Sequence, residues 1–287
     1  MSSGRKFILV LLFAAFSLRA QTNRLAEIQK LADDGDAQSQ FVLGTMFAKG
    51  EGVAKDSTEA VKWYRKAAEQ NLAIAQFYLG QFAEQSTPPD FDEARKWYRK
   101  AADKDVTLAQ CALAVLYENG NGVTTNSAEA ALWYAKAAEK GLAEAQYHLG
   151  LIHDQSDATP QDFADAVKWF TKAANQGHAA AQFKLGGMYY NGHGVTQDYI
   201  VAIRWFRKSA EQGLAESCFN LGLMSAYGEG TTTDKAEAYK WFTLAMWRGS
   251  QMASDNRAAL ARDMQPEEIA DGRQRAVTFA EEKKFAH

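Results

Sequence analysis

Six tryptophans at nearly constant intervals restrict the fold of this 287-residue chain more than any other feature. The intervals are 34 residues once and 36 residues four times, between Trp63, Trp97, Trp133, Trp169, Trp205 and Trp241. A compact globular domain provides no reason for such spacing. A stack of similar helical units does, because each unit must bury the same side chains against its neighbour. The spacing therefore predicts a repeat protein in which the tryptophans belong to the core.

The first half of each repeat predicts a helix with a small residue in its interior. At this position stand Gly44, Gly80, Ala114, Gly150, Gly186 and Gly222. A glycine inside a helix costs roughly 1 kcal/mol relative to alanine. Its recurrence predicts that a neighbouring helix approaches too closely for a side chain to fit.

The second half of each repeat predicts a helix with defined ends. A residue suited to the N-cap precedes each tryptophan by seven positions: Asp56, Asp90, Asn126, Asp162, Asp198 and Asp234. Residues that adopt the left-handed closing conformation stand at the other end: Asn71, Asp105, Gly141, Gly177, Gly213 and Gly249. Four repeats join the two helices with Gly-x-Gly. The recurrence of this motif at one corner, with no predicted strand before it, favours a turn over a phosphate-binding loop.

The N-terminal residues predict a secretory signal. Arg5 and Lys6 precede an apolar stretch, residues 7–17, that is too short to span a bilayer as a helix. We expect cleavage after Ala20, an export to the periplasm or the extracellular space, and no stable membrane insertion afterwards. The alternative is that residues 1–20 remain as an uncleaved anchor.

Charge and motifs exclude several classes of function. The formal net charge is −3 and no basic patch is visible, so nucleic acid is not expected as a partner. No HExxH, G-x-S-x-G, P-loop or CxxC motif is present, and the sequence predicts no catalytic residues, no cofactor and no metal site. Cys111 and Cys218 lie three repeats apart, too far for a disulfide at the usual spacing of packed helices, and are predicted to be buried free thiols.

Together these features resemble the Sel-1-like repeat, a relative of the tetratricopeptide repeat. The shared pattern is A-x-A-Q-x-x-L-G-x-x-Y, then G-x-G-V, then D-x-x-x-A-x-x-W-Y-x-K-A-A-x-x-G. The resemblance implies an all-α fold, a right-handed α/α superhelix (solenoid) of helical hairpins. Its expected parts are an N-terminal capping helix (21–35), six repeats (36–71, 72–105, 106–141, 142–177, 178–213 and 214–249) and C-terminal capping helices (250–287).

A candidate binding surface is the part of the first helix that varies between repeats. The varying positions recur at helical spacing and so form one stripe, which in this architecture faces the concave side. We predict that the stripe binds a peptide or a helix of a partner protein through Ile74, Tyr78, Gln81, Leu108, Ala112, Val115, Glu144, His148, Leu151, Lys184 and Asn220. The alternative is that these side chains only fill space between repeats.

The resemblance implies a non-catalytic scaffold for protein–protein interaction, of the cell envelope or secreted space. One cysteine-rich branch of the family is linked to β-lactam binding and hydrolysis, but this chain lacks the disulfide in each repeat that characterises that branch. A secreted hydrolase that acts on cell-wall or β-lactam substrates therefore stays an alternative by resemblance only. A saccharide-binding protein is a further alternative, and it would require exposed tryptophan rings.

Overall fold

The computed structural model describes residues 24–155 and 158–284, and every regular element within these ranges is an α-helix. The all-α repeat fold predicted from the sequence is confirmed. The chain divides into two compact units, Met1–Lys136 (unit 1) and Ala137–His287 (unit 2). The predicted signal, residues 1–20, lies outside the described residues.

Each repeat consists of two helices that pack against each other. Unit 1 contains α1 (24–33), α2 (Ala37–Lys49), α3 (Ser57–Glu69), α4 (Ala73–Glu84), α5 (Phe91–Ala102), α6 (Thr107–Asn119) and most of α7 (Ser127–Glu139). Unit 2 contains α8 (Ala143–His153), α9 (Pro160–Asn175), α10 (Ala179–Asn191), α11 (Tyr199–Ala210), α12 (Ala215–Tyr227), α13 (Lys235–Trp247), α14 (Gln251–Ala261) and α15 (Pro266–Glu282). We call α2, α4, α6, α8, α10 and α12 the first helices, and their partners α3 to α13 the second helices. The helix α15 packs on α13 and closes unit 2.

The caps of the second helices agree with the sequence in five repeats. Asp56, Asp90, Asp198 and Asp234 cap their helices through the side chain, and Asn126 accepts from the backbone N–H of Glu129 at 3.1 Å. The closing residues also adopt the expected left-handed conformation, with φ of 69° at Asn71 and 68° at Asp105. These local signals need no tertiary contact, which is why the sequence alone predicts them.

The prediction that Asp162 is an N-cap is wrong. The helix α9 starts earlier, at Pro160, with Thr159 as the N-cap and Asp162 as the third helical residue. Asp162 accepts from the backbone N–H of Thr159 at 2.9 Å while Thr159 Oγ1 accepts from the N–H of Asp162 at 3.2 Å, which completes a capping box. Proline at the first helical position has its φ preset for this start. The hydrogen bonds from Thr159 lower the pKa of the Asp162 carboxyl.

The recurrent glycine of the first helix lies directly under an aromatic ring of the second helix. A Cβ atom built on Gly80 would lie 2.4 Å from Cδ1 of Tyr98, and one on Gly150 would lie 2.5 Å from Cδ1 of Phe170. The same ring position is fully buried in every repeat: Tyr64, Tyr98, Tyr134, Phe170, Phe206 and Phe242. The predicted close approach of two helices is confirmed, and its partner is this ring.

The tryptophans form a second layer of the core, each with a lysine over its ring. Trp63, Trp97, Trp133 and Trp241 are at most 7% exposed, whereas Trp169 and Trp205 are half-buried. A lysine Nζ lies 3.9–4.3 Å from the ring centroid in each repeat: Lys66, Lys100, Lys136, Lys172, Lys208 and Lys240. In the first five repeats this lysine also stands in the last turn of its helix, so it acts on both the helix terminus and the ring.

A buried glutamine connects each of the first five repeats to the helix that precedes it in the chain. Gln40, Gln76, Gln110, Gln146 and Gln182 donate Nε2–H to a backbone carbonyl eight residues earlier, at 3.0–3.2 Å. That carbonyl belongs to the last turns of the preceding helix, where carbonyl groups lack intrahelical donors. The side chain therefore satisfies a helix terminus and fixes the distance between consecutive repeats.

Candidate functional site

In unit 1, the stripe of varying residues is largely occupied by packing. Tyr78 stacks on Tyr64 with ring centroids 5.4 Å apart and contacts Phe41 at 5.5 Å. Burial raises the pKa of Tyr64, as expected for a phenol in an apolar cluster. Ile74, Gln81, Ala112 and Val115 are half-buried, and Leu108 is 50% exposed. Tyr78 therefore fits the alternative interpretation, in which the side chain only fills space between repeats.

In repeat 4, the stripe residues hold consecutive repeats together. The carboxylate of Glu144 lies 3.3 Å from Nε2 of His148 and 3.1 Å from Nε2 of His178. Nδ1 of His178 accepts from the backbone N–H of Ala181 at 3.1 Å, so Nε2 carries the proton that points to Glu144. Leu151 packs against the core of α9 and α10. In residues 24–155 and 158–284, no three or more His, Cys, Asp or Glu side chains are placed to hold a metal ion.

Repeats 5 and 6 differ, because their stripe residues line a cavity of about 410 Å³ between α10 and α12. The structure brings the predicted residues Lys184 and Asn220 together at this cavity. Its apolar lining comes from Phe183, Met188, Phe206, Leu223 and Met224. A concave, mostly apolar site with a few convergent polar groups is the usual form of a ligand-binding site.

Sequence reasoning missed Gly187 and Asn191, which also line the cavity. Both lie on the same stripe, one and two turns after Lys184 on α10. The signal was present in the sequence as the doublet Gly186-Gly187, which no other repeat has at this position. Alignment places the recurrent glycine of every repeat in one class, and within that class the second glycine of the doublet does not stand out.

The charged groups at the cavity already have partners. Lys184 Nζ lies 3.0 Å from Oδ2 of Asp154, and the hydroxyl of Tyr190 donates to the carboxylate of Glu229 at 3.0 Å. Burial, followed by this hydrogen bond, raises the pKa of Tyr190. By contrast, the side-chain amides of Asn191 and Asn220 make no hydrogen bond within the part of the chain that the structure describes.

Unit 1 has a larger concavity, of about 710 Å³, between the second helices α3 and α5. It lies beside the corner at residues 85–90, which lacks the Gly-x-Gly turn. In repeat 3 the second glycine of that turn packs on the preceding helix, since a Cβ on Gly122 would meet the backbone of Phe91 at 2.8 Å. Arg65 and Glu93 pair at 3.4 Å along this concavity. Its origin is therefore a missing turn rather than a variation of the first helices.

Cys111 and Cys218 are buried thiols that form no disulfide within the described residues, as the sequence predicts. Burial raises the pKa of the Cys218 thiol to about 12, which keeps it protonated and unreactive at neutral pH. None of the described helices combines the length and the apolar composition needed to cross a membrane.

Comparison with known proteins identifies the repeat. A family model for the Sel1 repeat matches residues 37–72, 73–106, 107–142, 143–178, 179–214 and 215–245. The chain is similar to c5321 of Escherichia coli, a protective antigen of uropathogenic strains that displays an SLR fold, with 35% identity and a TM-score of 0.83 over 90% of this chain. It spans 56% of the length of that protein.

A second solved structure, the Sel1 repeat protein of Oxalobacter formigenes, is 31% identical with a TM-score of 0.65. The match covers 78% of this chain and 99% of the other. No curated protein matches the chain.

Proposed function

Because the chain belongs to the Sel1 repeat family, we propose that it is a non-catalytic scaffold whose first helices bind a segment of a partner protein. Proteins with this repeat are typically interaction scaffolds. The observation that carries the proposal for this chain is the cavity between α10 and α12, which opens on the stripe where the repeats differ most.

The division of labour within a repeat supports this assignment. The positions that recur, such as the glycine under the aromatic ring and the connecting glutamine, are used up by packing and hydrogen bonds within the array. The stripe positions make none of these recurrent contacts and differ from one repeat to the next. In repeats 5 and 6 they combine an apolar floor with amide groups that have no partner among residues 24–155 and 158–284, which suits recognition of a polypeptide.

The two alternatives lack such support. Tryptophan stacking on a saccharide needs an open ring face, whereas these rings are buried or half-buried and each has a lysine over it. For a hydrolase, neither the sequence motifs nor the comparisons provide a nucleophile or a catalytic set.

Site-specific cross-linking tests the scaffold. We expect p-benzoylphenylalanine in place of Lys184 or Asn220 to cross-link the partner in living cells. The same group in place of Arg204, an exposed residue of the second helix α11, serves as the matched control and should give no such product. Equal cross-linking from Arg204, or none from the two cavity positions, would contradict the proposal.

We also propose that the protein works outside the cytoplasm after removal of residues 1–20. The support is the sequence of that segment alone: a basic start followed by a short apolar stretch. N-terminal sequencing of the protein from the exported fraction should begin at Gln21. Retention of the full chain in the cytoplasmic fraction would refute export.

A further inference from the structure

The most informative residue of the cavity is one that has no structural role in the array. Gly187 lies inside α10, and its φ is not in the left-handed region. A Cβ on Gly186 would lie 2.7 Å from Cδ1 of Phe206, so Gly186 is explained by packing. A Cβ on Gly187 would meet nothing within 4 Å in the described residues. A helix-interior glycine without a close neighbour costs the fold roughly 1 kcal/mol relative to alanine, and it leaves room for something outside the chain to approach the backbone of α10.

The other repeats show what Gly187 leaves open. The equivalent positions are occupied by Thr45, Gln81, Val115, Leu151 and Leu223. A leucine at position 187, as in both neighbouring repeats, would stand in the mouth of the cavity. The absence of a side chain therefore gives access to the apolar floor formed by Met188, Phe206 and Met224.

Two amides flank this opening. Asn191 follows Gly187 by one helical turn, and Asn220 lies across the cavity on α12. A carboxamide offers one acceptor and two N–H donors, a set that matches the N–H and C=O of a peptide group. An extended segment has these groups free, whereas a helix uses them internally. The amides therefore favour an extended peptide over a docked helix.

The charges at the cavity select against a charged ligand. Lys184 and Asp154 neutralise each other at 3.0 Å, and Tyr190, which also lines the cavity, already donates its hydroxyl hydrogen to Glu229. A charged ligand would have to break one of these pairs, and an uncharged one leaves both intact. The complementary ligand thus presents peptide dipoles to the amides and an apolar side chain to the floor.

We propose that the cavity between α10 and α12 binds an extended, uncharged segment of a partner protein, with its main chain over Gly187 and one apolar side chain on the floor. This inference rests on the proposed scaffold function and specifies its ligand. Gly187 determines access, Asn191 and Asn220 hold the main chain, and the Lys184–Asp154 pair sets the preference for a neutral segment.

A displayed library of random linear peptides, selected on the full protein, tests the inference. Selected peptides should be uncharged at their common core and carry a shared apolar residue there. Gly187→Leu should weaken their binding by roughly tenfold or more, because the new side chain fills the mouth, while Tm is not lowered. Asn191→Ala with Asn220→Ala should weaken binding by about tenfold through the loss of hydrogen bonds. Arg204→Leu, which adds the same side chain on a second helix, should leave binding unchanged.

Three outcomes overturn the inference: no peptide is enriched, the enriched peptides share a charged core, or Gly187→Leu binds them as wild type does. If Gly187→Leu does not fold, Gly187→Ala adds a single methyl group at the same place and should still weaken binding. Cross-linking from Asn220 in the Gly187→Leu background separates the two proposals. If partner cross-links persist there, the scaffold function stands and the peptide cavity is wrong, whereas their absence from the wild type refutes both.

Discussion

The first helices of the two units share the same packing contacts, but the stripe on their surface is uncharged in unit 1 and carries charged and amide side chains in unit 2. In unit 1, α2, α4 and α6 carry charges only near their C-terminal ends, and two of these, Glu84 and Glu118, accept hydrogen bonds from the buried residues Tyr98 and Tyr134. The stripe between is uncharged and filled by Tyr78 and its aromatic neighbours. In unit 2 the same positions hold Glu144, His148, Lys184 and Asn220, and a cavity opens.

The difference shows which positions of a repeat belong to the fold and which are available for binding. A ring on glycine, a tryptophan and a connecting glutamine recur in both units, so they do not explain why this cavity lies at repeats 5 and 6. The stripe positions can, since Tyr78 in repeat 2 and Lys184 in repeat 5 occupy equivalent places. Each repeat thus serves as an internal control for the others.

The largest expected effect tests whether the core is equivalent in both units. Trp133→Ala in unit 1 and Trp241→Ala in unit 2 should each lower the free energy of unfolding by roughly 3–5 kcal/mol, because both rings are at most 4% exposed. Urea denaturation followed by circular dichroism measures both. Leu132→Ala, at a site 60% exposed, should change it by less than about 0.5 kcal/mol. A value near zero for either tryptophan would break the equivalence.

Two adjacent glycines should respond to alanine with opposite signs. Gly186→Ala should destabilise the protein by about 1–3 kcal/mol, since the new methyl group would overlap the ring of Phe206. Gly187→Ala should stabilise it by about 0.5–1 kcal/mol, because the helix gains a better former and the space is open. Thermal unfolding of both variants measures the two changes in stability. If both changes had the same sign, the argument that Gly187 leaves room for a ligand rather than for packing would fail.

A smaller effect concerns the connecting glutamines. In unit 2, Gln176 and Gln212 donate to Oε1 of Gln146 and Gln182 at 2.8 Å. In unit 1, Oε1 of Gln76 is buried and has no hydrogen-bond partner in the described part of the chain. Lys104 stands where the donor glutamine would be and instead donates to Asn71 at 2.7 Å.

Lys104→Gln should therefore stabilise unit 1, by at most about 1 kcal/mol after the loss of the exposed bond to Asn71. The reverse change, Gln212→Lys, should destabilise unit 2 by about 1–2 kcal/mol, because it leaves a buried acceptor unpaired. Paired urea denaturation curves give both values. If neither substitution changed the free energy of unfolding, a buried water would already satisfy the acceptor in each unit.

The smallest expected effect is in the chemical reactivity of the two thiols, one in each unit. Neither Cys111 nor Cys218 should react with iodoacetamide at pH 8 in the folded protein, and both should react after unfolding in guanidinium. Burial raises the pKa of Cys218 to about 12, above the value of about 8.5 for a free thiol. Its contribution to stability is therefore complete below about pH 8.5 and is lost as the pH rises towards 12. Rapid labelling of one thiol alone in the native protein would mark its unit as locally open.

The sequence predicts the fold well where a signal is local or recurs. The left-handed residues Asn71 and Asp105 and the glycine under each ring repeat so often that their geometry can be inferred without coordinates. Asp162 was misassigned because alignment to the other repeats hid a stronger capping signal, Thr159-Pro160, one turn earlier. The position of a lysine over each tryptophan ring cannot be predicted from the sequence, since ring geometry is not visible in a linear pattern.

The site was harder to infer because it depends on what a position lacks. The stripe positions are the ones that vary between repeats, but variation alone does not separate Tyr78, which packs inward, from Lys184, which lines a cavity. That distinction depends on the neighbouring helix. Gly187 carries no side chain to attract notice, and only the empty volume around it shows its importance.

The connecting glutamine has a consequence for how arrays of this kind change length. Gln182 and the carbonyl of Ala174 that it binds belong to consecutive copies, and each of the first four copies supplies a donor at its beginning and an acceptor at its end. A duplicated repeat would bring its own glutamine donor and its own carbonyl acceptor. After deletion of a repeat, the acceptor of the preceding repeat and the donor of the following one could still bind each other. Growth by duplication then requires no newly invented contact, and a binding surface can be extended one copy at a time while the older copies keep their ligand.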